Sequence, residues 1–226
     1  MNKSRKAITG GNPKYVTLFR NWGHQGYFYL DKTERFYRTI WQIIPVIFLF
    51  YTFKMVIDLN SFYCIFLSFI IIHTYNWIVN NNFWAVVIHS MPKQKNPGEN
   101  LTIEYLLKMQ NRLEKSSSIS GVLIYGSLAR NKWHDRSDID IRFLRKKGIL
   151  NGFLSYLILR RERFIALILG QPLDSYLADS ELFLQKMRKD EFPIFIKNSD
   201  LRIIKEYKTD AITNFSSVNN LNKVSS

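Results

Sequence analysis

YGSLARNKWHDRSDIDIRF, residues Tyr125–Phe143, joins two short apolar runs through a Gly-Ser pair and a polar loop. The run Val122–Tyr125 before the pair is apolar throughout and has the length of a buried strand. Gly126-Ser127 ends it, Ser127–Asn131 begins a short helix, and Lys132–Ser137 is a polar loop. Asp138–Leu144 alternates strictly between polar and apolar, which predicts a second strand. Alternate side chains of a strand share a face, so Asp138 and Asp140 point one way while Ile139 and Ile141 point into the core. Two adjacent carboxylates repel each other unless a cation lies between them. Hard oxygen ligands suit Mg²⁺ or Mn²⁺ rather than zinc. Gly126 lets the backbone approach a phosphate closely, and the Ser127 hydroxyl and the amides of the helix start can hold phosphate oxygens. A phosphate cradle beside a metal-binding carboxylate pair is what nucleotidyl or phosphoryl transfer requires.

Around this stretch the pattern is that of a small mixed domain. Leu101–Lys115 has helical apolar spacing at Ile103, Leu106, Leu107 and Met109. Gly152–Leu169 is a long apolar helix cut by Arg160-Arg161-Glu162-Arg163, a group expected to form a solvated or lipid-headgroup face rather than a catalytic one. Pro172–Leu177 is expected as a third strand, Ser180–Lys189 as a helix and Phe192–Ile196 as a last short strand. From Thr209 the chain is rich in Asn and Ser with little to bury, so a frayed tail is expected. His24, His73, His89 and His134 are scattered without ligand spacing.

The quoted stretch is similar to the nucleotidyltransferase signature of the DNA polymerase β superfamily. Gly-Ser-Leu-Ala-Arg most resembles the minimal nucleotidyltransferases, a group related to kanamycin nucleotidyltransferase. The likeness covers roughly residues 100–205. It implies an α+β nucleotidyltransferase domain of polymerase β-like palm type, a small mixed sheet flanked by helices. It implies that Asp138 and Asp140 are catalytic and hold the metal, Mg²⁺ or Mn²⁺. Gly126, Ser127 and Arg130 would bind the phosphates of an NTP substrate. A nucleoside monophosphate would pass to an acceptor hydroxyl and pyrophosphate would leave. In that superfamily a third carboxylate comes from a later strand. LGQPLDSYLAD places Asp174 in that context, after a long helix and Gly-Gln-Pro, with Asp179 as its rival; a turn or helix cap is the ordinary role of such an Asp. The chain departs from the pattern in two places: Asn131 stands where minimal members often have Gly, and Leu173, Ser175, Tyr176 and Leu177 make a more polar run around Asp174. Some minimal nucleotidyltransferases act as antitoxins that bind or adenylylate a partner protein, which is the alternative reading.

The rest of the composition is uneven. Of 226 residues, 32 are Lys or Arg and 18 Asp or Glu, a formal net charge of +14, with a single cysteine, Cys64. One cysteine excludes an intramolecular disulfide framework and a Cys-rich zinc site. Yet Thr39–Pro92 contains only two charged residues, Lys54 and Asp58. Thr39–Ile57 and Phe62–Val79 approach the length needed to cross a bilayer, and Trp41, Tyr51, Tyr63, Tyr75, Trp77 and Trp84 suit interfacial belts. An α-helical transmembrane hairpin is therefore expected before the catalytic domain. Lys54 and Asp58 would pair near its tip, Asn80–Asn82 would end its second helix, and Phe83–Ile88 would lie at the interface or pack on the anchor. Basic residues flank both ends of the block and none lies in its central turn, so both termini and the catalytic domain are expected in the cytoplasm. The expected division is 1–38 as a basic cytoplasmic segment, 39–90 as a two-helix membrane anchor and 91–100 as a linker. The nucleotidyltransferase domain then covers 101–206 and a flexible tail 207–226. Of the charge excess, +8 falls in residues 1–95, where it has a topological explanation, so nucleic acid is an unlikely partner beside NTP and the lipid bilayer.

Overall fold

The computed structural model describes residues 14–80, 83–91, 93–182, 193–198 and 213–214. Four helices come first: α1 (Lys14–His24), α2 (Lys32–Val56), α3 (Ser61–Asn80) and α4 (Phe83–Ser90). The domain follows as α5 (Glu99–Glu114), β1 (Ile119–Tyr125), the one-turn α6 (Gly126–Ala129), β2 (Ile139–Arg145), α7 (Ile149–Ile168), β3 (Leu173–Ala178), β4 (Ile194–Asn198) and the two-residue β5 (Thr213–Asn214). The expected helix Ser180–Lys189 falls largely outside the described residues, as does the tail from Thr209 apart from β5.

The strands form one mixed sheet in the order β3-β2-β1-β4-β5. β1 pairs antiparallel with β2 and β4, and β3 pairs parallel with β2 after the crossover through α7. The alternation in β2 works as the sequence requires. Ile139, Ile141 and Phe143 enter one core with Val122 and Ile124 of β1, Leu173 and Leu177 of β3, Leu106 and Met109 of α5, and Tyr156 and Leu159 of α7. The opposite face of β2 carries Asp140 and Arg142.

α2 and α3 pack along each other and are joined by residues 57–60. Asp58 takes a left-handed conformation (φ 47°), which an Asp tolerates in a turn. Lys54 Nζ lies 3.4 Å from Asp58 Oδ1 and donates to Leu59 O at 3.2 Å, so the expected pair closes the tip. Ile44, Ile47, Phe48, Met55, Phe62 and Phe66 project outward and are exposed. Both helices are long and apolar enough to cross a membrane. Large exposed apolar side chains in a continuous patch mark a surface that meets something other than water.

The lower part of this hairpin is joined to the domain. α2 begins at Lys32, and its first turns lie on α7 and β3. Tyr37 stacks on Tyr156 at 5.7 Å, and Thr33 packs against Gly152. Here the structure corrects the expectation for Arg160 and Arg163, which are buried, while Arg161 alone of the three is exposed as expected. Arg160 is buried, donates to Asn76 Oδ1 (3.3 Å) and Asn80 Oδ1 (3.0 Å) of α3, and lies over the Trp41 ring. Arg161 and Arg112 of α5 both pair with the buried Glu162, each at 2.7 Å or less. Arg163, 1% exposed, pairs at 2.8 Å with Glu34 of α2, 0% exposed, which also holds Arg38 at 3.0 Å. One side of α7 packs on α2, α3 and the sheet, and Arg112 of α5 reaches its Glu162, so its buried charges meet partners remote in sequence.

Removing one member of a buried ion group strands the others. Glu34→Ala should therefore lower stability by about 3–5 kcal/mol, read from urea unfolding of the full chain in detergent. Substitution of the exposed Asp58 by Ala should change it by under about 1 kcal/mol in the same assay.

Candidate active site

Strand register builds the site. Asp140 of β2 lies opposite Tyr125 on β1 and Asp174 on β3. Because β2 and β3 run parallel in that register, Asp140 and Asp174 share a face, and Asp138, two residues earlier, joins them. A carboxylate oxygen from each of Asp138, Asp140 and Asp174 lies within 4.8 Å of the other two. Three hard oxygen donors at that spacing fit a divalent cation of the Mg²⁺ or Mn²⁺ kind.

Asp179 stands apart, at the far end of β3. Its carboxylate accepts Arg145 Nε at 2.7 Å and the Thr33 amide at 3.1 Å. Burial works to raise this carboxyl, but the hydrogen bonds from Arg145 and Thr33 outweigh it and hold it below the usual carboxylate range. Asp179 thus clamps α2 to β3, and Asp174 alone of the two later acids meets the Asp138–Asp140 pair.

The Gly-Ser turn closes on the same carboxylates. Gly126 has φ +79°, and a β-carbon at this position would overlap the Asp140 carboxylate oxygen Oδ2. Only glycine leaves room for Asp140 to lie against this turn. Ser127 follows in the first turn of α6, and its Oγ is buried with no hydrogen-bond partner. Arg130, half-buried at the end of that turn, donates from Nε to Gly126 O at 3.1 Å. Asn131 takes φ +52°. Glycine adopts that left-handed region without strain and Asn tolerates it better than most residues, which accounts for Asn at this position.

Two supports were not apparent as such in the sequence. Arg142 follows Asp140 on the same face of β2, and its guanidinium lies 4.3 Å from the Tyr176 ring centre and 5.0 Å from that of Tyr125. Burial acts against its charge, but Tyr125, Tyr176, Asp174 and Asp140 outweigh this and raise its pKa, so it stays a cation beside the carboxylates. Burial likewise pushes the Tyr125 phenol well above its ordinary value, so that ring stays neutral. The strict alternation Asp138-x-Asp140-x-Arg142 was the signal for this arginine. The second support is Asn96, in what reads as a linker. It donates from its amide to Asp135 O (2.8 Å) and from Nδ2 to His134 O (2.9 Å) and Ser137 O (3.1 Å). Arg136 adds a bond to Ile88 O at the end of α4 (3.0 Å). The loop that delivers Asp138 is therefore held from both sides.

Residues 107–200 match the family model described as polymerase beta, nucleotidyltransferase. That segment is a nucleotidyltransferase domain of this type, with its small mixed sheet and flanking helices, and it supports a transferase acting on a nucleotide. No curated protein matches the chain.

Gly126→Ala tests the close approach. The added methyl should push Asp140 aside and weaken Mn²⁺ binding, followed by electron paramagnetic resonance, about 10–100-fold while the circular dichroism spectrum stays that of the wild type.

Proposed function

We propose that the protein is a membrane-anchored nucleotidyltransferase that moves a nucleoside monophosphate from an NTP to an acceptor hydroxyl and releases pyrophosphate. The observation that carries this reading is the meeting of Asp138, Asp140 and Asp174 within 4.8 Å beside the Gly126–Ser127 turn, inside a segment that matches polymerase β nucleotidyltransferases. The three carboxylates hold Mg²⁺ or Mn²⁺, and Asp174 also helps to activate the acceptor hydroxyl. A divalent cation bound there supplies neutralisation of the triphosphate and activation of the attacking oxygen. Ser127 Oγ, buried and without a protein partner, offers its hydroxyl to a phosphate oxygen, and Gly126 lets the Asp140 carboxylate lie against the same turn. Arg130 lies on the same turn, where its charge complements the phosphates.

Residues 39–90 act as the anchor in this reading, with both termini and the catalytic domain in the cytoplasm, where NTP is supplied. Basic residues on both flanks and none in the tip support that orientation. The acceptor is at the membrane: a lipid-linked sugar, a headgroup or a membrane protein. α4 supports this location. It is about 12 Å long, it follows α3 after two residues, and its last turn holds Arg136 of the loop entering Asp138.

Incubation with radiolabelled NTPs, Mg²⁺ and a membrane fraction tests the chemistry. Wild type should transfer label, and the double variant Asp138→Ala/Asp140→Ala should reduce it to background. Equal transfer by both would end the proposal. Orientation is read separately: protease added outside intact cells should leave the catalytic domain uncut, and cleavage within it would reverse the topology.

A further inference from the structure

β3 is the edge of the sheet among the described strands, yet it carries one of the three site carboxylates. Edge strands present unpaired backbone groups, and their register is held on one side only. In β3 the alternation is set by the bond from Ile139 N to Pro172 O (2.8 Å). Even-numbered residues of β3 face β2, and odd-numbered ones turn their backbone groups outward.

Those outward groups are answered one after another. Ser175 O accepts from Arg163 Nη2, and Ser175 Oγ lies 3.3 Å from Arg163 Nε. Leu177 N donates to Glu34 Oε2 at 2.8 Å. Asp179 N donates to Asp31 Oδ2 at 2.9 Å, and Asp179 returns a bond by accepting the Thr33 amide. Glu34 and Asp31 come from the start of α2 and the residue before it. Arg163 pairs with Glu34, so the three side chains form one continuous row along the open edge.

We propose that the start of α2 stands in for a neighbour strand of β3 and thereby holds Asp174 in the site, with Glu34 and Arg163 as positioning residues. The side-chain period of a strand is two, so a slip of one residue would turn Asp174 to the core face and present a neighbour in its place. Bonds at residues 175, 177 and 179 oppose that slip, because the first two partners, Arg163 and Glu34, are buried and pair with each other, and Asp31 directly precedes α2. The domain is thus completed by α2. This inference rests on the proposed role of Asp174 and adds the segment that keeps it in register.

The test uses the full chain in detergent and two neutral variants that differ in one acceptor. Both carry Arg38→Met and Arg163→Met, since apolar replacement of a buried ion group is commonly tolerated. One adds Glu34→Gln, which keeps an oxygen for the Leu177 amide, and the other Glu34→Leu, which does not. The Gln variant should bind Mn²⁺ about 10–100-fold more tightly than the Leu variant, read by electron paramagnetic resonance. In the Leu variant the Leu177 amide should exchange with deuterium about tenfold faster or more. In the wild type the Leu177 and Asp179 amides should exchange as slowly as those of β1, an arm that needs neither metal nor variant. Equal Mn²⁺ affinity in the two variants, or rapid wild-type exchange at Leu177 and Asp179, overturns the proposal. Absence of Mn²⁺ binding by the wild type would instead remove the metal reading of the triad, while the exchange arm still decides whether the edge is held.

Discussion

Three carboxylates within 4.8 Å of one another repel, each pair by about 3–4 kcal/mol at the effective dielectric usual near protein surfaces. Much of the domain can be understood as the means of holding them there. The Asp138–Asp140 spacing comes from strand alternation, and Asp174 from the parallel register with β3. Gly126 leaves the space that Asp140 occupies, and Asn96 and Arg136 hold the loop before Asp138. Arg142 places a cation on the same face, kept between two tyrosine rings. A site with this much stored repulsion is ready for a cation, because binding one relieves what the fold has had to offset.

The hairpin and the domain form a joint that is ionic where most protein joints are apolar. Buried ion groups add little net stability over well-packed apolar residues. Their effect is exclusivity: any other docking of α2 on α7 leaves Arg163, Glu34 or Arg38 charged and unpaired in the interior. Arg160 with Asn76 and Asn80 makes the same demand of α3.

How far the sequence could be read follows from the range of the interactions. The strand pair, the Gly-Ser turn and the Asp138–Asp140 face were legible because each depends on neighbours within about twenty residues and on simple alternation. Asp174 was legible once the motif was seen, since a long helix and a turn must precede a parallel strand. Arg160 and Arg163 were misread. Four charged residues in a row look like a solvated face when judged by their own helix alone. Their partners, Glu34, Asn76, Asn80 and Arg112, lie 50 to 129 residues earlier, and no local pattern announces them. Asn96 was hidden in the same way, inside a Pro- and Gly-containing stretch that reads as a spacer. The boundary after residue 38 separates segments by charge, whereas the helix begins at Lys32 and continues across it.

The place where the hairpin leaves the domain has a further consequence. Gln42 bonds to Asn76 at the base, and Trp22 and Gln25 bond to Thr74 and His73 just beyond it, so only Gln42–Val56 and Ser61–Ile72 extend past these bonds. Legs of that length reach about 18–22 Å, against a hydrocarbon layer of about 30 Å. As the proposed membrane anchor, such legs would have no slack. A bilayer that accommodates it must thin locally or draw the protein down until the base of the domain enters the headgroups, at a cost that grows with each ångström of mismatch. Bilayer thickness would then act as a sorting variable for this protein, favouring thin membranes and pulling the domain against the lipid rather than holding it out on a stalk.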